Sequence, residues 1–181
     1  MTGEKSTHQA SVDGREPPPK QVAAAMSKLI SASIGEIAVV FARAEATKHH
    51  QLADIEWLIM PAVLSGQFYV VEATDKQSGV SAPVAAVTWA RVSAEVDRRL
   101  TENVGQPIRL YPDEWTGGDI YWLIHLVGNP HALEAGLRQC ASGKLNGCAA
   151  KIVTRRSDGH PQVQTLHDLI LGGASSGLVQ S

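Results

Sequence analysis

The chain has 181 residues, and 16 Lys and Arg against 18 Asp and Glu give it a formal net charge of −2 at pH 7. Its length suits one ordinary domain with its own hydrophobic core, and its balanced charge excludes a nucleic-acid binder that relies on a basic excess. The two cysteines, Cys140 and Cys148, form neither a CxxC pair nor a cluster with zinc-ligand spacing. We therefore expect two free thiols, no bound metal and no nucleic-acid partner.

The two ends of the chain are polar. The first 20 residues include three consecutive prolines, Pro17 to Pro19, and we expect residues 1–20 to form a disordered N-terminal arm. This segment lacks the apolar core of a signal peptide, and no apolar run reaches about 18 residues, so we expect a cytoplasmic protein without an integral membrane segment. Residues 171–181 are expected to be a flexible tail, which leaves a single domain over residues 21–170.

Two helices are predicted in the first third of the chain. Apolar residues recur at helical spacing over residues 21–45, where Gly35 is expected to break the helix in two. A polar loop at residues 47–51 follows, and it contains His49 and His50. A second helix is predicted over residues 52–66, with Pro61 ending or kinking it and Gly66 as its C-terminal cap.

Strand signals dominate the rest of the chain. Residues 67–74 and 83–92 predict a hairpin around a turn at 75–79, and Ser93 is predicted to cap a short helix over 94–102. Residues 120–128 predict a third strand directly after the turn Thr116-Gly117-Gly118-Asp119. A helix over 131–140 and strands over 148–157 and 161–166 complete the order, which favours helices covering a central mixed sheet.

Three stretches carry motifs that follow one another in a fixed order: residues 54–71, DIEWLIMPAVLSGQFYVV; residues 83–93, PVAAVTWARVS; and residues 113–124, DEWTGGDIYWLI. Together they resemble the RTX toxin-activating lysine acyltransferases. The matching motifs are Met60-Pro61-Ala62, Gln67-Phe68, Pro83-Val84-Ala85, Thr88-Trp89-Ala90, and Glu114-Trp115-Thr116-Gly117-Gly118-Asp119 with Trp122. Their order and spacing agree with the family across residues 34–139.

The resemblance implies an α/β, GNAT-like acyltransferase fold, with a central mixed, mostly antiparallel sheet flanked by helices. It implies a cytosolic enzyme with no bound cofactor, which takes a fatty acyl group from acyl carrier protein and attaches it to an internal lysine of an RTX-type protoxin. It also suggests a homodimer. The loop by which GNAT enzymes bind the coenzyme A pyrophosphate has its nearest match at residues 156–160, inside a predicted hairpin, and this favours the carrier-protein donor.

Acyl transfer from a thioester to a lysine needs a base, because an unperturbed lysine has a pKa of about 10.4, and it needs donors for the oxyanion. A histidine suits the proton transfer, and a carboxylate can orient that histidine. The resemblance gives these roles to a histidine before the second helix and to an aspartate on the strand after the Gly-Asp turn. In this chain the two positions hold Thr47 and His125.

Three hypotheses follow from this departure. In the first, a shortened loop brings His49 or His50 to the catalytic position, and because adjacent side chains diverge we expect only one of them to face the site. In the second, His125 is the base. In the third, the site is inactive and the chain binds acyl carrier protein or another protein. An acyl-CoA-dependent N-acyltransferase is a further alternative.

The second hypothesis needs a carboxylate to orient His125, and the candidates are Asp119, Asp54 and Glu56. Alternation along a strand would place His125 on one face with Leu123, and both faces of this strand are apolar. A neutral imidazole there must find hydrogen-bond partners, since an unpaired buried polar group costs about 1–3 kcal/mol. His125 is therefore either a satisfied core histidine or a group of the site.

Three of the four tryptophans fall inside the family motifs. We predict that Trp89, Trp115 and Trp122 bind the substrate's acyl chain. Large aromatic side chains are also common core residues, so a purely structural role is the alternative.

Overall fold

The long N-terminal helix forms without interruption. The computed structural model describes residues 19–172, so residues 1–18 and 173–181, which hold most of the predicted arm and tail, lie outside the described residues. Helix α1 spans Pro19–Arg43, and its C-terminal turns bury Ile37, Val40 and Phe41 against the sheet. The predicted break at Gly35 is wrong, because a glycine inside a helix costs only about 1 kcal/mol and this packing outweighs it.

The N-terminal half of α1 extends away from the core, and it exposes Val22, Met26 and Leu29. Within residues 19–172, α1 is the one helix that is long and apolar enough to cross a membrane by length and composition. Core helices of soluble proteins pass the same test, so the test alone does not place α1 in a membrane. The lack of an integral membrane segment stays a prediction.

The predicted second helix forms in pieces. A 3₁₀ turn at Leu52–Asp54 leads into α2 (Ile55–Leu58) and then α3 (Met60–Leu64). Pro61 has no backbone N–H to continue the hydrogen bonds of α2, and it lies instead in the first turn of α3, where that donor is not needed. Gly66 follows the C-cap residue Ser65 with a φ of +69°, the left-handed conformation in which a glycine commonly terminates a helix, as predicted.

Five strands form one sheet in the order β1-β2-β3-β4-β5. Their bounds are β1 Phe68–Thr74, β2 Ser81–Val92, β3 Ile120–Gly128, β4 Lys151–Arg155 and β5 Pro161–Thr165. Neighbouring strands are antiparallel except β3 and β4, which are parallel because α5 (Pro130–Ser142) carries the chain back between them. The predicted architecture, a GNAT-like mixed and mostly antiparallel sheet flanked by helices, is confirmed.

The remaining helices are short. Helix α4 (Ala94–Glu102) follows Ser93, whose Oγ accepts a hydrogen bond from the backbone N–H of Val96 at 3.3 Å, as the predicted cap requires. The 3₁₀ turn at Pro112–Thr116 and helix α6 (Leu166–Leu171) were not predicted. Both are too short for helical periodicity to show in the sequence.

Strand β3 carries a bulge next to His125. Thr88 on β2 pairs with His125, whereas the following residue, Trp89, pairs with Leu123. Ile124 is therefore an extra residue on β3. Bulges of this kind bend a strand and redirect the side chains beyond them.

The bulge decides which face of the sheet His125 occupies. Leu123 belongs to the core beneath α5. The ring of His125 lies on the opposite face, 5.6 Å from the ring of Phe41 on α1 and 6.3 Å from the ring of Trp115. The predicted grouping of His125 with Leu123 is wrong, because the extra residue reverses the alternation beyond it.

Strands β3 and β4 separate soon after they begin. In the described chain one register pair joins them, Trp122 with Lys151. Asp97 on α4 accepts hydrogen bonds from Trp122 Nε1 at 2.7 Å and from Lys151 Nζ at 2.6 Å. We call these three residues the apex clamp. Beyond it the two strands diverge, and residues of both line a pocket.

Removing the carboxylate of the apex clamp should destabilise the fold more than removing a neighbouring charge. Asp97→Ala leaves the buried indole N–H of Trp122 without its acceptor, which should cost about 1–3 kcal/mol. Glu95→Ala is the matched control, because Glu95 is exposed in the first turn of the same helix. Urea unfolding of both variants measures the difference, and equal free energies of unfolding would contradict the clamp.

Candidate active site

A pocket of about 340 Å³ lies in the split between β3 and β4. The strands contribute Leu123, Ile124, His125 and Leu126 from β3 and Ile152, Val153 and Arg155 from β4. The surrounding segments contribute Ala46, His49, His50, Trp57, Leu58, Gly105, Gln106, Pro107, Ile108 and Pro161. Most of these side chains are apolar, so the pocket suits a hydrocarbon chain with a few polar groups beside it.

A histidine and a carboxylate meet at the edge of this pocket. Nδ1 of His50 lies 3.4 Å from Oδ2 of Asp54, four residues later in the chain. Asp54 is held by two further hydrogen bonds, from the backbone N–H of Gln51 at 2.8 Å and from Nε1 of Trp57 at 3.0 Å. The bond from Gln51, then that from Trp57, then the contact with His50 lower the pKa of Asp54. The result is a charged carboxylate that can orient the ring of His50.

Both histidines of the loop line the pocket, and their ring centroids lie 4.6 Å apart. The expectation that only one of them faces the site is wrong. Residues 45–49 form tight turns rather than extended chain, and this brings the two rings to the same side. The contact with Asp54 distinguishes His50 from His49.

His125 is the third histidine of the pocket, and burial fixes its charge. The residue is 4% exposed, and its Nδ1 lies 2.9 Å from Oγ1 of Thr88. Burial, and to a smaller extent repulsion from His50, lowers the pKa of His125 to about 3. His125 is therefore neutral at ordinary pH, and it is too weak a base to take a proton from an amine.

The carboxylates predicted to orient His125 lie elsewhere. In the described chain its hydrogen-bond partner is Thr88, and Asp54 pairs with His50 instead. Glu56 is exposed on α2, and Asp119 is exposed in the turn before β3, outside the set of pocket-lining residues. The structure thus brings three of the four predicted catalytic residues together and leaves Asp119 apart.

Thr47, which stands where the resemblance places the catalytic histidine, has a structural contact. It is buried, and its Oγ1 donates a hydrogen bond to the backbone carbonyl of Phe41 at 2.7 Å. This bond satisfies a carbonyl at the C-terminal end of α1 and fixes the start of the loop. His50, three residues later, reaches the pocket.

The structure places the three tryptophans predicted to bind the acyl chain in the core. Trp89, Trp115 and Trp122 are at most 4% exposed, and none of them is among the residues that line the pocket. Trp57 lines the pocket instead, with the guanidinium of Arg109 4.9 Å from its ring centroid. Sequence reasoning missed this role because nothing around Trp57 distinguishes it from a core tryptophan.

The N-terminus of α5 is occupied by the chain's own atoms. Oδ1 of Asn129 accepts hydrogen bonds from the backbone N–H groups of His131 at 3.0 Å and Ala132 at 3.2 Å. Pro130 has no N–H to offer. Phosphate groups commonly bind at such a helix end, but here its donors are already taken. Residues 156–160, the nearest match to a coenzyme A loop, form the turn between β4 and β5.

Parallel strands open here into an apolar pocket with a histidine–carboxylate pair at its edge, an arrangement that suits proton transfer beside a bound apolar chain. The chain matches the model of the RTX toxin acyltransferase family over residues 27–166. It belongs to this family, whose members are acyltransferases that act on RTX toxins. A comparison with individual curated proteins gives no match.

The buried, neutral His125 predicts a loss of stability at mildly acid pH. Its folded-state pKa of about 3 lies below the ordinary value of 6.5, so the unfolded chain binds a proton that the folded chain does not. The free energy of unfolding is therefore unaffected by the titration of His125 above about pH 6.5. It decreases as the pH falls from there towards about 3, by up to about 1.4 kcal/mol per pH unit.

His125→Gln removes this titration. Urea unfolding from about pH 7 to about pH 5, above the range in which ordinary carboxylates titrate, should give a shallower dependence of stability on pH for the variant than for the wild type. Parallel slopes would show that His125 is not buried in its neutral form.

Proposed function

We propose that this protein transfers a fatty acyl group from acyl carrier protein to the ε-amine of an internal lysine of an RTX-type protoxin, with His50 as the general base. The observation that carries the proposal is the pairing of His50 with Asp54 at the edge of an apolar pocket. Family membership supports the reaction class, and the pair supports the proton transfer that this reaction needs.

His50 passes one proton from the lysine nitrogen to the leaving sulfur. Asp54 accepts from Nδ1–H of His50, which leaves the Nε2 lone pair as the base. The lysine ammonium first loses one proton to solvent, and the free amine attacks the thioester carbon to form a tetrahedral oxyanion. Nε2 takes the second proton from the nitrogen as the C–N bond forms. The C–S bond then breaks, and the leaving thiolate takes that proton from His50. The present His50–Asp54 separation of 3.4 Å is long for a hydrogen bond, and such contacts commonly shorten when substrate binds.

His50 suits the role of base better than His125 does. Burial holds the pKa of His125 at about 3, so it gains a proton from a lysine only at great cost. His50 is partly exposed at the pocket and has a carboxylate partner. The departures at Thr47 and His125 therefore do not argue for an inactive relative, because Asp54 supplies, from the 3₁₀ turn after the loop, a carboxylate partner for His50.

Acyl carrier protein is the proposed donor, in preference to coenzyme A. The N-terminus of α5 is capped by Asn129 and offers no pyrophosphate site. Arg155 lines the pocket, and Arg109 lies over Trp57, which lines it too. These exposed guanidinium groups suit the single phosphate of a carrier-bound prosthetic arm.

The cytoplasm is the proposed location, since the proposed donor is found there. The homodimer that the family resemblance suggests stays a prediction. Sedimentation of the purified protein would test it.

Incubation with acyl-acyl carrier protein and a candidate protoxin should produce acyl-lysine, which mass spectrometry of protoxin peptides detects. Acyl-coenzyme A as donor should give much slower transfer. If no chain length gives acyl-lysine while the carrier protein still binds, the proposal fails and a binding role replaces it.

Variants of the two loop histidines assign the base within the same assay. His50→Gln should lower kcat by about 10²- to 10⁴-fold, and Asp54→Asn should lower it less, because the base remains while its orientation is lost. His131→Gln is the control, since His131 is exposed at the start of α5 and outside the pocket. A larger loss with His49→Gln than with His50→Gln would assign the base to His49.

A further inference from the structure

His125 is a pocket residue that the proposed proton transfer does not use. The bulge at Ile124 turns it onto the face of the sheet that meets α1, and it lines the same pocket as His50. Its surroundings are the rings of Phe41 from α1 and Trp115 from the 3₁₀ turn. The titratable group that faces it is His50, whose repulsion disfavours a second positive charge at this place.

The contact with Thr88 selects one tautomer of the ring. Thr88 is completely buried, and its Oγ1 lies 2.9 Å from Nδ1 of His125. A buried hydroxyl needs an acceptor for its proton, and Nδ1 of His125 lies at hydrogen-bond distance to accept it. When Thr88 donates to Nδ1, the proton of the neutral ring resides on Nε2. The second ring nitrogen is then a donor, on a residue that lines the pocket.

We propose that Nε2–H of His125 donates a hydrogen bond to the carbonyl oxygen of the acyl thioester and stabilises the oxyanion that forms when the lysine attacks. This inference rests on the proposed function and assigns a second catalytic residue to the same site. His125 transfers no proton in this role: the charge that develops on the oxygen is met by a fixed N–H dipole and returns to the carbonyl when the C–S bond breaks. The low pKa of His125 supports the role, because a ring that stays neutral keeps one tautomer throughout the reaction.

Such a donor is most effective where the site is closed to water and the group is already oriented. His125 meets both conditions, since it is 4% exposed and its ring is held by Thr88 on one side and by Phe41 on another. The two histidines then divide the chemistry. His50 carries the proton between nitrogen and sulfur, and His125 holds the developing negative charge.

Steady-state kinetics with acyl-acyl carrier protein and protoxin test this assignment. His125→Leu removes the donor and should lower kcat by about 10²- to 10³-fold with little change in the KM for the acyl donor. His125→Gln places an amide N–H near the position of Nε2 and should recover part of that loss. Thr88→Val keeps the shape of the threonine but removes the hydroxyl that favours the Nε2–H tautomer. Its kcat should lie between those of the wild type and His125→Leu.

Two readouts separate catalysis from folding. The acid limb of the kcat/KM pH profile should persist in His125→Gln, because His50 remains the base. The ¹⁵N chemical shifts of His125 in the wild-type protein should show the neutral Nε2–H tautomer across the assay range, and this measurement needs no variant to fold.

If the wild type transfers acyl groups, any one of three results would overturn the role of His125 and leave the proposed function intact. The first is a kcat for His125→Leu within about threefold of the wild-type value. The others are loss of the acid limb in His125→Gln and an Nδ1–H tautomer in the wild type. Absence of transfer by the wild type would overturn the proposed function and this inference with it.

Discussion

The apex clamp sets the geometry on which the rest of the structure depends. Trp122 and Lys151 hold β3 and β4 together at one point, and Asp97 binds both of their side chains. Parallel strands that share a single register pair leave a space where they diverge. Residues of both strands line that space, together with the loop that follows α1. This gap between the strands can bind an apolar chain inside the sheet, so the protein needs no exposed hydrophobic surface for that purpose.

The polar groups of the site come from two segments of the chain. The family resemblance places a histidine and an aspartate at the positions that Thr47 and His125 occupy in this sequence. His50 in the loop and Asp54 at the end of the 3₁₀ turn that follows form a histidine–carboxylate pair, four residues apart in the chain. His125 on β3 is a buried, neutral ring that contacts Thr88. The different surroundings of His50 and His125 support the different roles proposed for them.

Local sequence signals were sufficient for most of the elements. β3 was predicted over 120–128 and forms there, because an apolar run lies between a glycine-rich turn and an Asn-Pro pair that starts α5. The side of the sheet on which His125 lies could not be predicted from the sequence, because the bulge at Ile124 arises from pairing with β2 and leaves no local pattern.

The candidate site was predicted less completely than the fold. His49, His50 and His125 were all named, because they lie at or near the two positions where the resemblance places catalytic residues. Their proximity depends on turns at residues 45–49 that carry no clear turn signature. Trp57 lines the pocket while three other tryptophans lie in the core, and only tertiary packing separates them.

The coupling between His50 and Asp54 tests most directly whether the two residues form one catalytic unit. A double-mutant cycle would measure kcat for the wild type, His50→Gln, Asp54→Asn and the double variant with acyl-acyl carrier protein as donor. If Asp54 acts through His50, Asp54→Asn should have almost no further effect once His50 is replaced. An equal loss from Asp54→Asn in both backgrounds would show that the two residues act independently, and it would contradict the pair as the catalytic unit.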